Sequence, residues 1–268
     1  MDLQLKGKRA LVTGSSSGIG VAVAKRLAEE GAAVVVHGRN AERAERVASE
    51  IRNTGGTAYV AIGDLSDDAG GDSVAKAMRE QIGELDILVN NAGGSDDTTR
   101  SWDNTTTAQW IEEYEKNTVS VVRMIQHFLP DMKKNGWGRI MFLGSTSATA
   151  SNGKFAPAYG AAKGGILSLT VSLSKTLAGT GITINTVTPG AVESPVMRSY
   201  VLSLPPYKGK TYEEVEATVA RKWNIPAGRI GKPEDMAAAI AFLSSPLADF
   251  INGVNLRVDG GMSGYINT

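Results

Sequence analysis

Tyr159 and Lys163 stand four residues apart in AYGAAK, a spacing that brings both side chains to one face of a helix. A phenol transfers protons poorly near neutrality, because its reference pKa is about 10. An ammonium group beside the ring stabilises phenolate over phenol, so the spacing suits proton transfer. A YxxxK match alone is also met by an ordinary helix with one surface lysine. Its weight therefore rests on what accompanies it.

The segment RALVTGSSSGIGVAVAKRLAEEG passes from a strand through a glycine-rich turn into an amphipathic helix. Glycines in such a turn allow a tight bend, close approach of backbone to a pyrophosphate and close helix-strand packing, while helix N-terminal amides face the anion. Here they are Gly14, Gly18 and Gly20, a TGxxxGxG spacing rather than the commoner GxGxxG. The next strand, AVVVHGRN, ends in Gly38 and Arg39 with no carboxylate. A small neutral residue removes repulsion, and a guanidinium matches phosphate geometry, so the sequence favours NADP(H) over NAD(H). Ser17 adds no second cation in the turn; Ser15 and Ser16 offer hydroxyl donors.

Composition narrows the remaining chemistry. The chain has 268 residues, 42% hydrophobic and 21% charged, the balance of a folded protein. Basic and acidic residues number 28 each, so no net field recommends nucleic acid or an anionic membrane as partner. No cysteine is present, which removes disulfides, thiol catalysis and thiolate metal sites. His37 and His127 lie far apart without metal-ligand spacing, so no metal site is expected. No secretory signal or membrane-length apolar run is visible, and a reducing cytoplasm is the expected location.

Short apolar runs alternate with longer segments of helical period, which predicts an α/β fold: a doubly wound, mostly parallel sheet with helices on both faces. The expected strands are Arg9 to Thr13, Ala33 to His37, Thr57 to Ile62, Ile87 to Asn90, Arg139 to Leu143, Thr183 to Val187 and Asn255 to Val258. The expected helices are Ile19 to Glu30, Ala41 to Asn53, Asp72 to Ile82, Ile111 to Lys134, Tyr159 to Ala178 and Pro233 to Leu243. No linker or repeat divides the chain, so residues 1–268 read as a single domain. The least regular piece, 194–229, is a candidate substrate-binding lid.

Together these elements resemble the short-chain dehydrogenase/reductase family, in its single-domain branch of about 250 residues, over nearly the whole chain. TGSSSGIG matches the family's cofactor turn, including Ile19, and Asp64-Leu65 matches a position near the adenine. Asn90-Asn91-Ala92-Gly93 matches NNAG, Pro189-Gly190 the turn by the nicotinamide, and Val192 and Ser194 positions that contact the carboxamide. The resemblance makes Asn117, Ser145, Tyr159 and Lys163 the catalytic set. Two departures stand out: Ser145 lies fourteen residues before Tyr159, with Ser147 a second candidate, and Ser194 occupies a position where Thr is usual.

The resemblance implies hydride transfer between NADP(H) and a carbonyl or secondary alcohol, with a Rossmann-like sheet of seven strands. Tyr159 is the expected general acid or base, Ser145 the holder of the substrate oxygen, and Lys163 both tunes the phenol and binds the ribose. Asn117 is assigned to a water-mediated relay from Lys163 to solvent. A 3-oxoacyl reductase-like activity heads the possibilities. The alternatives are NAD-dependent oxidation of a secondary alcohol, sugar or steroid, and a dinucleotide sensor without turnover. A small-molecule substrate and a homo-oligomer, dimer or tetramer, are implied. Met197, Tyr200, Val201, Leu204, Tyr207 and Trp223 offer an apolar wall with a cationic rim, and the polar stretch 93–107 with Trp102 offers another; neither names a substrate.

Overall fold

The computed structural model describes residues 1–95, 97, 100–150 and 156–264. Seven parallel strands form one sheet in the order β3-β2-β1-β4-β5-β6-β7. They are β1 (Arg9–Val12), β2 (Ala33–Gly38), β3 (Thr57–Ile62), β4 (Ile87–Asn90), β5 (Gly138–Leu143), β6 (Ile182–Pro189) and β7 (Asn255–Val258). Alternate residues of one strand face opposite layers. In β1, Ala10 and Val12 join the core beneath α1 (Gly18–Glu29), α2 (Ala41–Asn53) and α9 (Pro233–Leu243), whereas Leu11 joins the opposite core. That second core is built with α3 (Asp68–Ile82), α5 (Ser120–Asn135) and α6 (Pro157–Thr176). Burial on both faces explains why the strands read as continuous Val/Ile/Leu runs.

The doubly wound architecture expected from the alternating pattern is the one observed. Boundaries shift where caps decide them. The third helix begins at Asp68 rather than Asp72, because the Asp67 carboxylate accepts from the Gly70 amide at 2.7 Å and caps it. The long helix expected over Ile111 to Lys134 is three pieces: α4 (Thr107–Tyr114), a π turn over Glu115–Val119, and α5. A capping box of Thr106 and Gln109 starts it earlier than hydrophobic period alone suggests.

The segment expected to be irregular is largely helical. It forms α7 (Pro195–Ser203), capped by Ser194, and α8 (Tyr212–Lys222), opened by a Thr211/Glu214 capping box. Val201, Tyr207, Tyr212, Val215 and Val219 bury against one another in a third, smaller core. Among the described residues no helix is long and apolar enough to cross a membrane.

Candidate active site

The strand order reverses between β1 and β4, and a cleft of about 550 Å³ opens beyond their C-terminal ends. The glycine-rich turn forms its floor. Gly14 has φ +65°, and a Cβ there would come within 2.8 Å of Ala92 Cα. A Cβ on Gly20 would lie 2.6 Å from both Asn91 Nδ2 and the Gly14 carbonyl oxygen. This proximity is used: Asn91 Nδ2 donates to the carbonyls of Thr13 (2.9 Å) and Gly14 (3.1 Å), and Thr13 Oγ1 accepts from the Ala92 amide at 2.9 Å. The NNAG segment thereby clamps the turn. The N-cap of α1, Ser17, makes no side-chain capping bond, so first-turn amides are left for a ligand.

His37, dismissed as a metal ligand from the sequence, holds the turn from the other side. Its Nδ1 accepts from the Gly14 amide at 2.9 Å, and its Nε2 lies 3.1 Å from the Gly63 carbonyl, which assigns the proton to Nε2. Burial lowers its pKa to about 4, despite the opposing Gly63 bond, so the ring is neutral. Nothing in the sequence signalled this role beyond its place at the end of a strand. Among the described residues no cluster of His, Cys, Asp and Glu is arranged to hold a metal.

Of the residues expected at the cofactor, Gly14, Ser16, Ser17, Gly18, Ile19, Arg39, Asp64 and Leu65 line the cleft, as do Asn91, Ala92, Gly93, Val192 and Ser194. Four do not. Ser15 is fully buried, its hydroxyl donating to the Val12 carbonyl at 2.6 Å and accepting from the His37 amide at 2.9 Å. Gly20 packs within the turn as described. Pro189 ends β6 beside Val258, and Gly190 abuts Asp259, to whose Cβ an added Cβ would come within 2.8 Å. These four shape the backbone rather than face the cleft.

The cleft also has lining residues the sequence reading missed, Arg43, Lys116 and Glu193 among them. Arg43 lies in the first turn of α2, where its amide is held by the capping Asn40 side chain at 2.9 Å. It stands four residues after Arg39, and both line the cleft. Arg39 pairs with Asp64 at 3.4 Å, both side chains largely in solvent. Gly38 packs on Ser16: a Cβ there would lie 2.8 Å from Ser16 Cβ, leaving no room for a carboxylate side chain.

At the other end, the residues expected to be catalytic converge from β5, the π turn and α6. Ser145 and Tyr159 share a side-chain hydrogen bond. Ser145 Oγ also accepts from the Ser147 amide at 3.1 Å, which makes Ser147 part of the turn that orients Ser145. Lys163 is buried, and its Nζ donates to the Leu143 carbonyl at 2.9 Å beside the cleft, 5.9 Å from the Tyr159 ring centre. Asn117 is fully buried. Its Oδ1 accepts from the Gly94 amide at 2.8 Å, and its Nδ2 donates to the carbonyls of Gly94 (3.2 Å) and Glu113 (3.1 Å). In the widened π turn its side chain thus reaches the i−4 carbonyl.

Electrostatics here differ from the expectation that Lys163 lowers the phenol. Burial raises the Tyr159 pKa, opposed by the Ser145 bond and reinforced by the charge of Glu113. Burial lowers Lys163 to about 8, with Glu113 opposing. The lysine serves its partner less because it is turned toward the Leu143 carbonyl. Glu113 was not recognised in the sequence, where it is one carboxylate among several in WIEEYEK.

The proposed substrate walls are partly committed elsewhere. Arg198 binds Glu193 at 2.6 Å and Glu213 at 3.0 Å and lies over the Tyr212 ring at 4.5 Å. Val201 and Tyr207 are buried in the third core, whereas Tyr200 remains exposed. In the polar stretch, Trp102 is exposed and packs against Trp110 at 5.2 Å between ring centres; Asp96, Thr98 and Thr99 lie outside the described residues.

A family model described as enoyl-(acyl carrier protein) reductase matches residues 14–263. A 3-oxoacyl-[acyl-carrier-protein] reductase of Vibrio cholerae is 37% identical over 97% of this chain and 99% of its own. The chain belongs to the short-chain dehydrogenase/reductase family of oxidoreductases. Two solved structures are similar to this chain over nearly its whole length. The L-sorbose reductase of Gluconobacter frateurii, complexed with NADPH and L-sorbose, superposes with a TM-score of 0.92 at 29% identity, covering 99% of this chain and all (100%) of that one. A 7α-hydroxysteroid dehydrogenase complexed with NADH and 7-oxo glycochenodeoxycholic acid gives 0.87 at 31%, covering 99% and 98%.

Proposed function

We propose that this chain is an NADP(H)-dependent carbonyl reductase, acting reversibly on a secondary alcohol, with Tyr159 as general acid or base. The observation that carries this reading is the convergence of Ser145, Tyr159, Lys163 and Asn117 beside a cleft floored by a glycine turn. The turn and the α1 amides fit a dinucleotide pyrophosphate; Arg39, Arg43 and Ser16 fit a 2′-phosphate; Val192 and Ser194 border the nicotinamide end. When bound, the cofactor supplies or accepts the hydride.

In reduction, Ser145 holds the substrate oxygen while Tyr159 donates its proton to it; in oxidation the phenolate takes that proton. Burial raises the Tyr159 pKa and so keeps it in the phenol form, the state that can give a proton. Lys163 binds the ribose and, once turned to it, restores the phenol's acidity. Asn117 orders the route by which the proton is replaced. The 3-oxoacyl and sugar reductase relatives support a polar carbonyl substrate, and segment 194–229 covers it as a lid within one domain. Exposed Phe250 and Leu256 near the β7 edge and Ile111 on α4 support a homo-oligomer.

Two observations favour the NAD-dependent alternative: Asp64 partly neutralises Arg39, and a steroid dehydrogenase neighbour was solved with NADH. Titration with both cofactors separates the two. The reading itself is tested by Tyr159→Phe. Expected is a loss of turnover of at least about 10²-fold on a ketone panel, with cofactor affinity nearly unchanged. Near-normal turnover in that variant sinks it, and binding without turnover by the wild type revives the sensor.

A further inference from the structure

Glu113 occupies the last turn of α4, four residues before Asn117, with its side chain only 4% exposed. Its Oε2 accepts from Asn117 Nδ2 at 3.0 Å. Its Oε1 accepts from Ser95 Oγ at 3.2 Å and faces Arg100 Nη1 at 3.4 Å. Burying an ion pair brings a desolvation cost that an apolar side chain avoids, so packing alone does not call for a carboxylate here. What the carboxylate adds is negative charge beside the reacting pair. Its charge opposes the effect of burial on Lys163, and it acts on Tyr159 in the same upward sense.

The arrangement is a polar string. Arg100 anchors one end, its guanidinium on Glu113 and its carbonyl accepting from the Ala156 amide at 2.9 Å, at the start of α6. Glu113 meets Asn117, whose Oδ1 and Lys163 Nζ flank Gly93: a Cβ there would lie 2.6 Å from the first and 3.6 Å from the second. Among the described residues, the charged groups around Glu113 include Arg100 from the preceding loop, with Asp97 and Glu112 also on Arg100, and Lys163 and Tyr159 from α6. On the π turn, Glu115 is turned away to Arg123 and Lys116 lines the cleft.

We infer that Glu113 is a positioning residue that sets the charge state of the reacting pair, holding Lys163 as ammonium and Tyr159 as phenol, an inference that rests on the oxidoreductase reading above. The carboxylate works through Asn117 and the local field without touching substrate. Arg100 pairs with it at 3.4 Å.

The test is the pH profile of carbonyl reduction, joined to an ultraviolet titration of Tyr159, taken as the tyrosinate signal that Tyr159→Phe removes. Glu113→Gln keeps an acceptor for Asn117 and deletes the charge. Both Lys163 and Tyr159 then lose their protons more readily, so the alkaline limb of reduction moves down by about one pH unit, and the tyrosinate titration moves with it. Glu113→Asp, which keeps the charge, returns the limb toward the wild type. A Glu113→Gln enzyme that is slower at every pH with an unmoved limb and titration overturns the inference. If that variant does not fold, Arg100→Met combined with Glu113→Met removes the ion pair as a unit, a change that packing tolerates better. The same downward shift is expected there, and an unmoved limb again overturns the inference. The titration needs no substrate: a shifted titration in a chain without turnover supports the role of Glu113 while sinking the reductase reading, and turnover with an unmoved limb does the reverse.

Discussion

At the nucleotide end of the cleft, neutral groups hold the backbone: Gly14 and Gly20 by close approach, Asn91 by amide donation, and His37 as an uncharged acceptor. At the reaction end, buried charge does the work, with Lys163 and Glu113 both nearly inaccessible and Arg100 closing the string. The difference follows from what each end must do. A pyrophosphate brings its own charge and is met by amides and a helix N-terminus, whose partial charges need no counterion inside the protein. Proton transfer instead needs groups whose protonation is poised, and burial beside a fixed charge is how protonation is poised. A fault at the nucleotide end should therefore appear as lost affinity, and a fault at the reaction end as a displaced pH profile.

The largest test of this contrast is acid titration of the nucleotide end. His37 has a folded pKa of about 4 against an ordinary 6.5, so between those values the unfolded chain binds a proton that the folded chain refuses. Stability from this residue is fully present above pH 6.5 and falls as the pH drops toward 4, by about 3 kcal/mol in all. Thermal melts across this window should show the slope in the wild type and lose it in His37→Gln. An unchanged slope would mean that the glycine turn does not depend on a neutral ring.

Next in size is Gly20→Ala. The added Cβ meets the Gly14 carbonyl at 2.6 Å, an overpacking worth about 1–3 kcal/mol, so cofactor affinity should fall by about 10-fold to 100-fold in a fluorescence titration. The pH profile of any remaining turnover should stay in place; if it moves, the two ends are not separable. Smallest are Arg39→Ala and Arg43→Ala, each removing a charge-assisted bond worth about 1.5 kcal/mol, so each should weaken NADPH about tenfold and leave NADH nearly unaffected. Equal losses for both cofactors would remove the pair from the phosphate site.

The nucleotide end was the more legible of the two in the amino-acid order. Gly14, Gly18 and Gly20 announce a turn because backbone approach forbids side chains at set intervals, and the flanking strand and helix announce themselves by period. Even there, spacing overreached: Ser15 sits within the motif but spends its hydroxyl on Val12 and His37, and Gly190 serves Asp259. Arg43 reaches the cleft from the first turn of α2, a place set by how that helix packs after β2. At the reaction end Tyr159 and Lys163 were legible through their helical spacing, yet the direction of the phenol shift was not. It is governed by burial and by Glu113, which the sequence shows only as one acidic residue in a charged stretch.

By itself, then, the sequence determined whatever depends on local period and spacing: the seven strands, the glycine turn, and the shared helical face of Tyr159 and Lys163. Tertiary structure decided what depends on neighbours far along the chain. It buried His37 between Gly14 and Gly63, turned Lys163 to the Leu143 carbonyl, widened the helix at Asn117, and set Glu113 against Arg100. Backbone periodicity is written residue by residue, whereas desolvation and the reach of a buried charge exist only once distant segments have closed around them.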